Sequence, residues 1–138
     1  MKVEEIRHSG ELWAILFKGR PSQEGVHFYT KDENTVQVGD HFQPKGKVIR
    51  PHAHQPVSMN RNATLQEVLV IEEGRVKITF YTREGRAVDE RILEKGDKIL
   101  LMEGGHGFEF LEPTRMLEIK QGPYQPQATV RLEVRETV

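Results

Sequence analysis

The chain has 138 residues, enough to bury one hydrophobic core, so we expect a single domain covering residues 1–138. Twenty Lys and Arg residues against 21 Asp and Glu give a net charge of -1, which argues against nucleic acid or an anionic membrane as a partner. Without cysteine, the site has no thiolate ligand or cysteine nucleophile. The longest apolar run, residues 12–17, is too short to span a bilayer, and the N-terminus lacks the apolar stretch of a secretory signal, so we expect a cytoplasmic protein.

Apolar residues recur mainly at every second position, which predicts strands rather than helices. Residues 3–17 and residues 128–134 alternate in this way and are expected to supply edge strands to a partner. Residues 46–54, GKVIRPHAH, are interpreted as a strand that carries two histidines. The segments EVLVI (67–71) and KILLM (98–102) are apolar on both faces, so they should be covered on both sides.

A hairpin is predicted in the second half of the chain. The segment RVKITFYT follows Gly74 and places Val76, Ile78 and Phe80 on one face. A turn at residues 83–85 then leads into AVDERILEKG. The last strand is expected at ATVRLEV, residues 128–134, and glycine and proline interrupt every candidate long helix. The pattern therefore predicts an all-β protein with antiparallel strands in a two-layer barrel or sandwich.

The two histidines of GKVIRPHAH are candidate metal ligands. On a strand, His52 and His54 leave the same face about 6.5–7 Å apart at the backbone, so both imidazoles reach one ion. A neutral imidazole binds a divalent metal without displacing a strongly held proton. Further ligands must come from other strands, and Glu67 and His106 are the candidates downstream.

These residues stand in two motifs that resemble those of the cupin superfamily. The first is Gly46, His52, His54, Glu67 and Gly74, with twelve residues between the second histidine and the glutamate. The second is the segment GDKILLMEGGHGF, residues 96–108, in which His106 follows the two glycines. The resemblance implies a small single-domain cupin with a double-stranded β-helix, whose metal-site core covers about residues 46–111 and whose flanking strands lie in residues 1–45 and 112–138.

The cupin resemblance implies one metal bound by His52, His54, Glu67 and His106. Three nitrogens and one oxygen favour a divalent transition metal, namely Fe, Mn, Ni, Co or Zn. The competing interpretation is a cupin pocket that keeps its histidines without metal. For Glu67 the alternatives are a salt bridge at the rim, or an inward-facing Gln66 in its place.

Candidate substrate-binding residues are predicted from the alternation of side chains between the two faces of a strand. Arg50 shares the face of the two histidines and is suited to a carboxylate or phosphate, with a solvated arginine as the alternative. Phe108 and Phe110 follow His106 at every second position and predict an apolar pocket wall, although they equally suit an ordinary core. Asn60, Arg61 and Asn62 lie in the inserted loop and are a candidate lid.

The general base is left open among three candidates, Tyr81, Glu109 and Glu118. Glu118 and Lys120 share one face of a predicted strand, where charged side chains more often meet solvent. The first functional hypothesis is a metal-dependent isomerase or epimerase of a sugar or sugar-derived acid. The alternatives are a ligand-binding or sensing cupin without catalysis and an Fe(II) dioxygenase. Each binds a small molecule, and we expect a homodimer.

Overall fold

The computed structural model describes residues 1–58, 64–123 and 125–135. The chain divides into two compact units, one made of residues 1–19 and 64–138 and the other of residues 20–63. Strand makes up 48% of the residues in these ranges and helix 2%, which confirms the all-β prediction. No helix in the described ranges is long and apolar enough to cross a bilayer.

The larger unit contains a five-stranded antiparallel sheet in the order β1-β2-β8-β5-β10. Its strands, in chain order, are β1 (Lys2–His8), β2 (Glu11–Lys18), β5 (Glu67–Glu73), β8 (Lys98–Leu101) and β10 (Arg115–Lys120). The apolar stretch of β2 and the segment KILL of β8 are buried on both faces, as predicted for the latter. Strand β1 lies at one edge of this sheet and β10 at the other.

A three-stranded antiparallel sheet completes this unit, in the order β7-β6-β9. Its strands are β6 (Arg75–Tyr81), β7 (Ala87–Glu94) and β9 (Gly105–Phe110). The predicted hairpin is confirmed, because β6 pairs with β7 in antiparallel register. Val76, Ile78 and Phe80 are at most 1% exposed, so they form the inward face that the alternation predicted.

One hydrophobic core joins the two sheets. Ile6, Leu16 and Leu69 of the larger sheet belong to the same buried cluster as Val76 and Phe80 of the smaller one. Burying a side chain of this size contributes about 1.5–3 kcal/mol, so the cluster is the main source of stability in this unit. The two sheets therefore pack face to face, and their inner faces set the position of the candidate site.

The smaller unit consists of residues 20–63, and its described part, residues 20–58, contains a two-stranded antiparallel sheet. Strand β3 (Gly25–Phe28) pairs with β4 (Gly39–Phe42). Gly39 lies against the ring of Phe28, where an added Cβ would come within 2.8 Å of Phe28 Cδ1. The hydroxyl of Tyr29 donates a hydrogen bond to Asp40 Oδ2 at 3.0 Å, which ties the hairpin to its connecting loop.

Two predicted strands are wrong. Residues 46–54 are exposed and adopt no strand. Proline at position 51 has no N–H to donate, which weakens any sheet ladder at that point. Residues 128–134 also form no strand, and Val130 is 75% exposed. Alternation gives a segment its two faces, but a strand also needs an open sheet edge in register with it, and these segments do not pair with one.

Candidate functional site

Glu67 and His106 meet where the inner faces of the two sheets approach each other. Glu67 begins β5 in the larger sheet and is 9% exposed, whereas His106 lies on β9 in the smaller sheet. The Nε2–H of His106 donates to Glu67 Oε1 at 2.7 Å. A buried carboxylate is costly unless it is paired, so this contact between the sheets is what permits Glu67 to remain charged.

The position of His106 follows from its register. It lies directly opposite Phe80, and opposed residues of an antiparallel pair share a face of the sheet. Since Phe80 is 1% exposed and belongs to the core, the imidazole of His106 points to the inner side. Gly104, immediately before β9, has a φ of 73°, a backbone conformation that glycine adopts without steric cost.

Strand β10 brings two further charged side chains to this pair. It runs antiparallel to β5, with Lys120 opposite Glu67 and Glu118 opposite Leu69. The ammonium of Lys120 lies 4.0 Å from Glu67 Oε2 and 3.4 Å from Glu118 Oε1. We call these four residues, Glu67, His106, Glu118 and Lys120, the inner-face cluster.

The pKa values of the two carboxyl groups in the cluster shift in opposite directions. The hydrogen bond from His106 lowers the pKa of Glu67 to about 2, although burial acts in the opposite direction. Glu118 shares a hydrogen bond with Glu67, and that contact, with burial, raises the pKa of Glu118 above its usual value. The Glu67 carboxylate is therefore the stable anion of the pair, and Glu118 is the one that holds a proton more readily.

The aromatic residues that follow His106 form a row beside the cluster. Phe108 lies opposite Ile78 and Phe110 opposite Val76, so both are on the inner side of β9. The ring centroids of His106 and Phe108 are 5.5 Å apart, and those of Phe108 and Phe110 are 6.5 Å apart. Phe110 is 57% exposed, so this apolar row is open to solvent along part of its length.

The other predicted ligands lie in the smaller unit. The rings of His52 and His54 are 5.3 Å apart between centroids, with an interplanar angle of 79°. His52 Nδ1 donates to the backbone carbonyl of Arg50 at 3.0 Å. All three side chains are exposed, and the two imidazoles are neighbours without the strand on which the sequence interpretation placed them.

Two candidate bases lie elsewhere. Tyr81 and Glu109 alternate with Phe80 and with Phe108 and Phe110, so they are on the outer face of the smaller sheet, away from His106. Of the three candidates, the structure brings only Glu118 to the inner-face cluster. The alternation of side chains along each strand is the sequence signal that separates Tyr81 and Glu109 from Glu118. Because Phe80 points inward, its neighbour Tyr81 must point outward.

Lys120 was the residue that sequence reasoning undervalued. Its alternation with Glu118 was visible, but the pairing of β10 with β5, which brings Lys120 opposite Glu67, was not. The predicted lid residues Asn60, Arg61 and Asn62 lie outside the described residues. Within residues 1–58, 64–123 and 125–135, no group of three or more His, Asp and Glu side chains is arranged to hold a metal ion.

The chain was compared with protein-family models, curated proteins and solved structures, and none of them matches it.

Proposed function

We propose that this chain is a metal-dependent enzyme of the cupin type that acts on a sugar or a sugar-derived acid at the inner-face cluster. The observation that carries the proposal is the Glu67 carboxylate, 9% exposed and bonded at 2.7 Å to His106 of the facing sheet. Charged groups are rarely kept at such positions for packing alone, and strongly perturbed carboxylates cluster at functional sites.

The donor chemistry of this pair fits a first-row transition metal. Glu67 offers a carboxylate oxygen and His106 an imidazole nitrogen, both of which Fe, Mn, Ni, Co and Zn accept. The proposal keeps His52 and His54 as the two further ligands on the strength of the cupin motif. When bound, the metal would polarise a carbonyl or enediolate oxygen of the substrate.

The remaining residues of the cluster have separate roles in this proposal. Lys120 supplies an ammonium that binds a substrate carboxylate or hydroxyl. Glu118 is the general acid and base, because it is the base candidate in contact with the cluster and its contact with Glu67 raises its pKa. Phe108 and Phe110 form the apolar wall that limits access of water to the reacting atoms. Arg50 is retained as a second anion-binding residue from the sequence pattern.

Metal binding by single-site variants tests the ligand assignment. The wild type and the variants E67Q, H106Q, H52Q and H54Q are purified without oxygen, analysed for metals and titrated with Mn²⁺, Fe²⁺, Co²⁺, Ni²⁺ and Zn²⁺ by calorimetry. We expect about one equivalent in the wild type and an affinity at least about 100-fold lower in each variant. The matched control is H41Q, at an exposed histidine of β4. A wild type that binds none of these ions, or an unchanged H106Q, contradicts the proposal.

Turnover tests the reaction. The metal-loaded protein is incubated with a panel of aldoses, ketoses and uronic acids, and isomerised or epimerised products are followed by proton NMR. We expect E118Q to bind metal like the wild type and to lose turnover by at least about 100-fold, as is usual for a missing acid-base group. Tight ligand retention without turnover would point to a sensing cupin instead. Oxygen consumption that requires iron would point to a dioxygenase.

We also propose that the protein is a homodimer. Strand β1 is at the edge of the five-stranded sheet and its residue Val3 is 45% exposed, so this edge is open to a second copy. Light scattering at micromolar concentration tests this, and a monomeric mass would contradict it.

A further inference from the structure

A cavity of about 290 Å³ lies on the outer face of the three-stranded sheet. Its lining comes from three strands: Lys77, Thr79 and Tyr81 of β6, Ala87 and Glu90 of β7, and Gly107, Phe108 and Glu109 of β9. Apart from Phe108, these residues alternate with the inward-facing residues of their strands, so the cavity opens on the opposite side of the sheet from His106. None of the four residues of the inner-face cluster lines it.

Small residues on the neighbouring strands create this cavity. Gly107 of β9 lies opposite Thr79, and Ala87 of β7 lies opposite Tyr81. Cε2 of Tyr81 is 3.4 Å from the position that a Cβ on Gly107 would take. The aromatic ring therefore extends across to β9, over a position that has no side chain of its own, and forms one wall of the cavity.

The polar groups of the cavity combine donors and acceptors at close range. Lys77 Nζ pairs with Glu109 Oε2 at 2.9 Å, and Glu90 is close enough to interact electrostatically with the same ammonium. Within the described part of the chain, the Glu90 carboxylate and the hydroxyls of Thr79 and Tyr81 have no hydrogen-bond partner. These three groups remain available to a ligand.

We propose that this cavity binds a single neutral sugar ring. One ammonium and two carboxylates leave one net negative charge in the cavity, which disfavours an anion. The Lys77 ammonium and the Glu90 carboxylate offer a donor and an acceptor, which suit vicinal hydroxyls that both donate and accept. The Tyr81 ring offers an apolar surface to the C–H face of the sugar. Ligand pockets usually measure about 300–1,000 Å³, so a cavity at the small end of that range suits one ring rather than an oligosaccharide.

The test is an NMR titration of the full chain with glucose, mannose, galactose and N-acetylglucosamine, each to high millimolar concentration. We expect at least one sugar to shift the backbone amides of Thr79, Gly107 and Glu109 in a saturable manner. E90Q and Y81A should each raise its Kd at least fivefold. The matched control is E94Q, because Glu94 faces the same side of β7 but does not line the cavity.

The outcomes separate this site from the proposed enzyme site. H106Q should leave the binding of the sugar unchanged, which shows that the inner-face cluster is not the site observed. If none of the four sugars shifts the outer-face amides, or if E94Q weakens binding as much as E90Q does, the proposal is overturned. Binding of ethanolamine at these amides in place of the sugars would also overturn it, since the cavity would then select a cation.

Discussion

His106 and Glu67 belong to different sheets, yet Nε2 of the histidine lies 2.7 Å from Oε1 of the glutamate. The contact joins β9 to β5 across the inner side of the larger unit. Because Glu67 is 9% exposed, loss of His106 leaves a carboxylate in a site with little water to replace the lost donor. The contact between His106 and Glu67 should therefore stabilise the fold, and this contribution can be measured in metal-free protein.

A double-mutant cycle measures that contribution. In protein treated with chelator, we expect H106Q and E67Q each to lower the free energy of unfolding by about 1.5–3 kcal/mol, the range for hydrogen bonds to charged groups. The double variant should lose less than the sum, because the single variants remove the same interaction. Urea denaturation gives these values. The exposed pair Arg75–Glu94, at 3.1 Å, is the control and should show a coupling below about 1 kcal/mol. Equal coupling in both pairs would contradict the argument.

Tyr29 is expected to ionise late. Burial and the hydrogen bond it donates to Asp40 raise its pKa to about 12 from the usual 10. Since the folded pKa is the higher one, the contribution of the neutral phenol to stability is complete below pH 10 and is lost as the pH rises from 10 toward 12. Ultraviolet titration of tyrosinate should show one component near pH 12 that is missing in Y29F. A wild-type curve identical in shape to that of Y29F would show that the prediction is wrong.

Asp97 is expected to stabilise the turn between β7 and β8. It is 5% exposed and accepts backbone N–H bonds from Glu94 at 2.8 Å and from Gly19 at 3.2 Å, with Lys18 Nζ 3.3 Å away. D97A leaves these donors unsatisfied, so we expect a loss of about 2–4 kcal/mol in the free energy of unfolding. Thermal and urea denaturation measure it. D32A, at an exposed position, should change stability by less than about 0.5 kcal/mol.

Gly74 is expected to tolerate alanine poorly for two reasons. Its φ is 89°, and an added Cβ would lie 2.3 Å from the carbonyl oxygen of Pro113. Gly46 also has a φ of 89°, but nothing lies within 4 Å of its Cβ position. G46A should therefore lower the free energy of unfolding by about 1–2 kcal/mol, the cost of the left-handed backbone alone. G74A should lower it by about 1 kcal/mol more than G46A does, because of the added steric contact. If calorimetric scans show equal losses, the contact with Pro113 is not limiting.

Much of the local structure was predictable from the sequence. Successive side chains of a strand point to opposite faces, so the inward row Val76, Ile78 and Phe80 follows from the alternation alone. The same rule placed His106, Phe108 and Phe110 together. Residues 46–54 show where it fails: the alternation of His52 and His54 was read as a strand, but no sheet edge pairs with that segment.

The sequence by itself determined which residues share a face, because the period of two is a local property of the backbone. Only the tertiary structure decided which faces meet. Lys120 lies opposite Glu67 because β10 pairs with β5, and His106 reaches Glu67 because two sheets pack on one core. Both relationships join segments far apart in the chain, and they depend on which strand edges and apolar faces remain open once the others have paired, which no local pattern records.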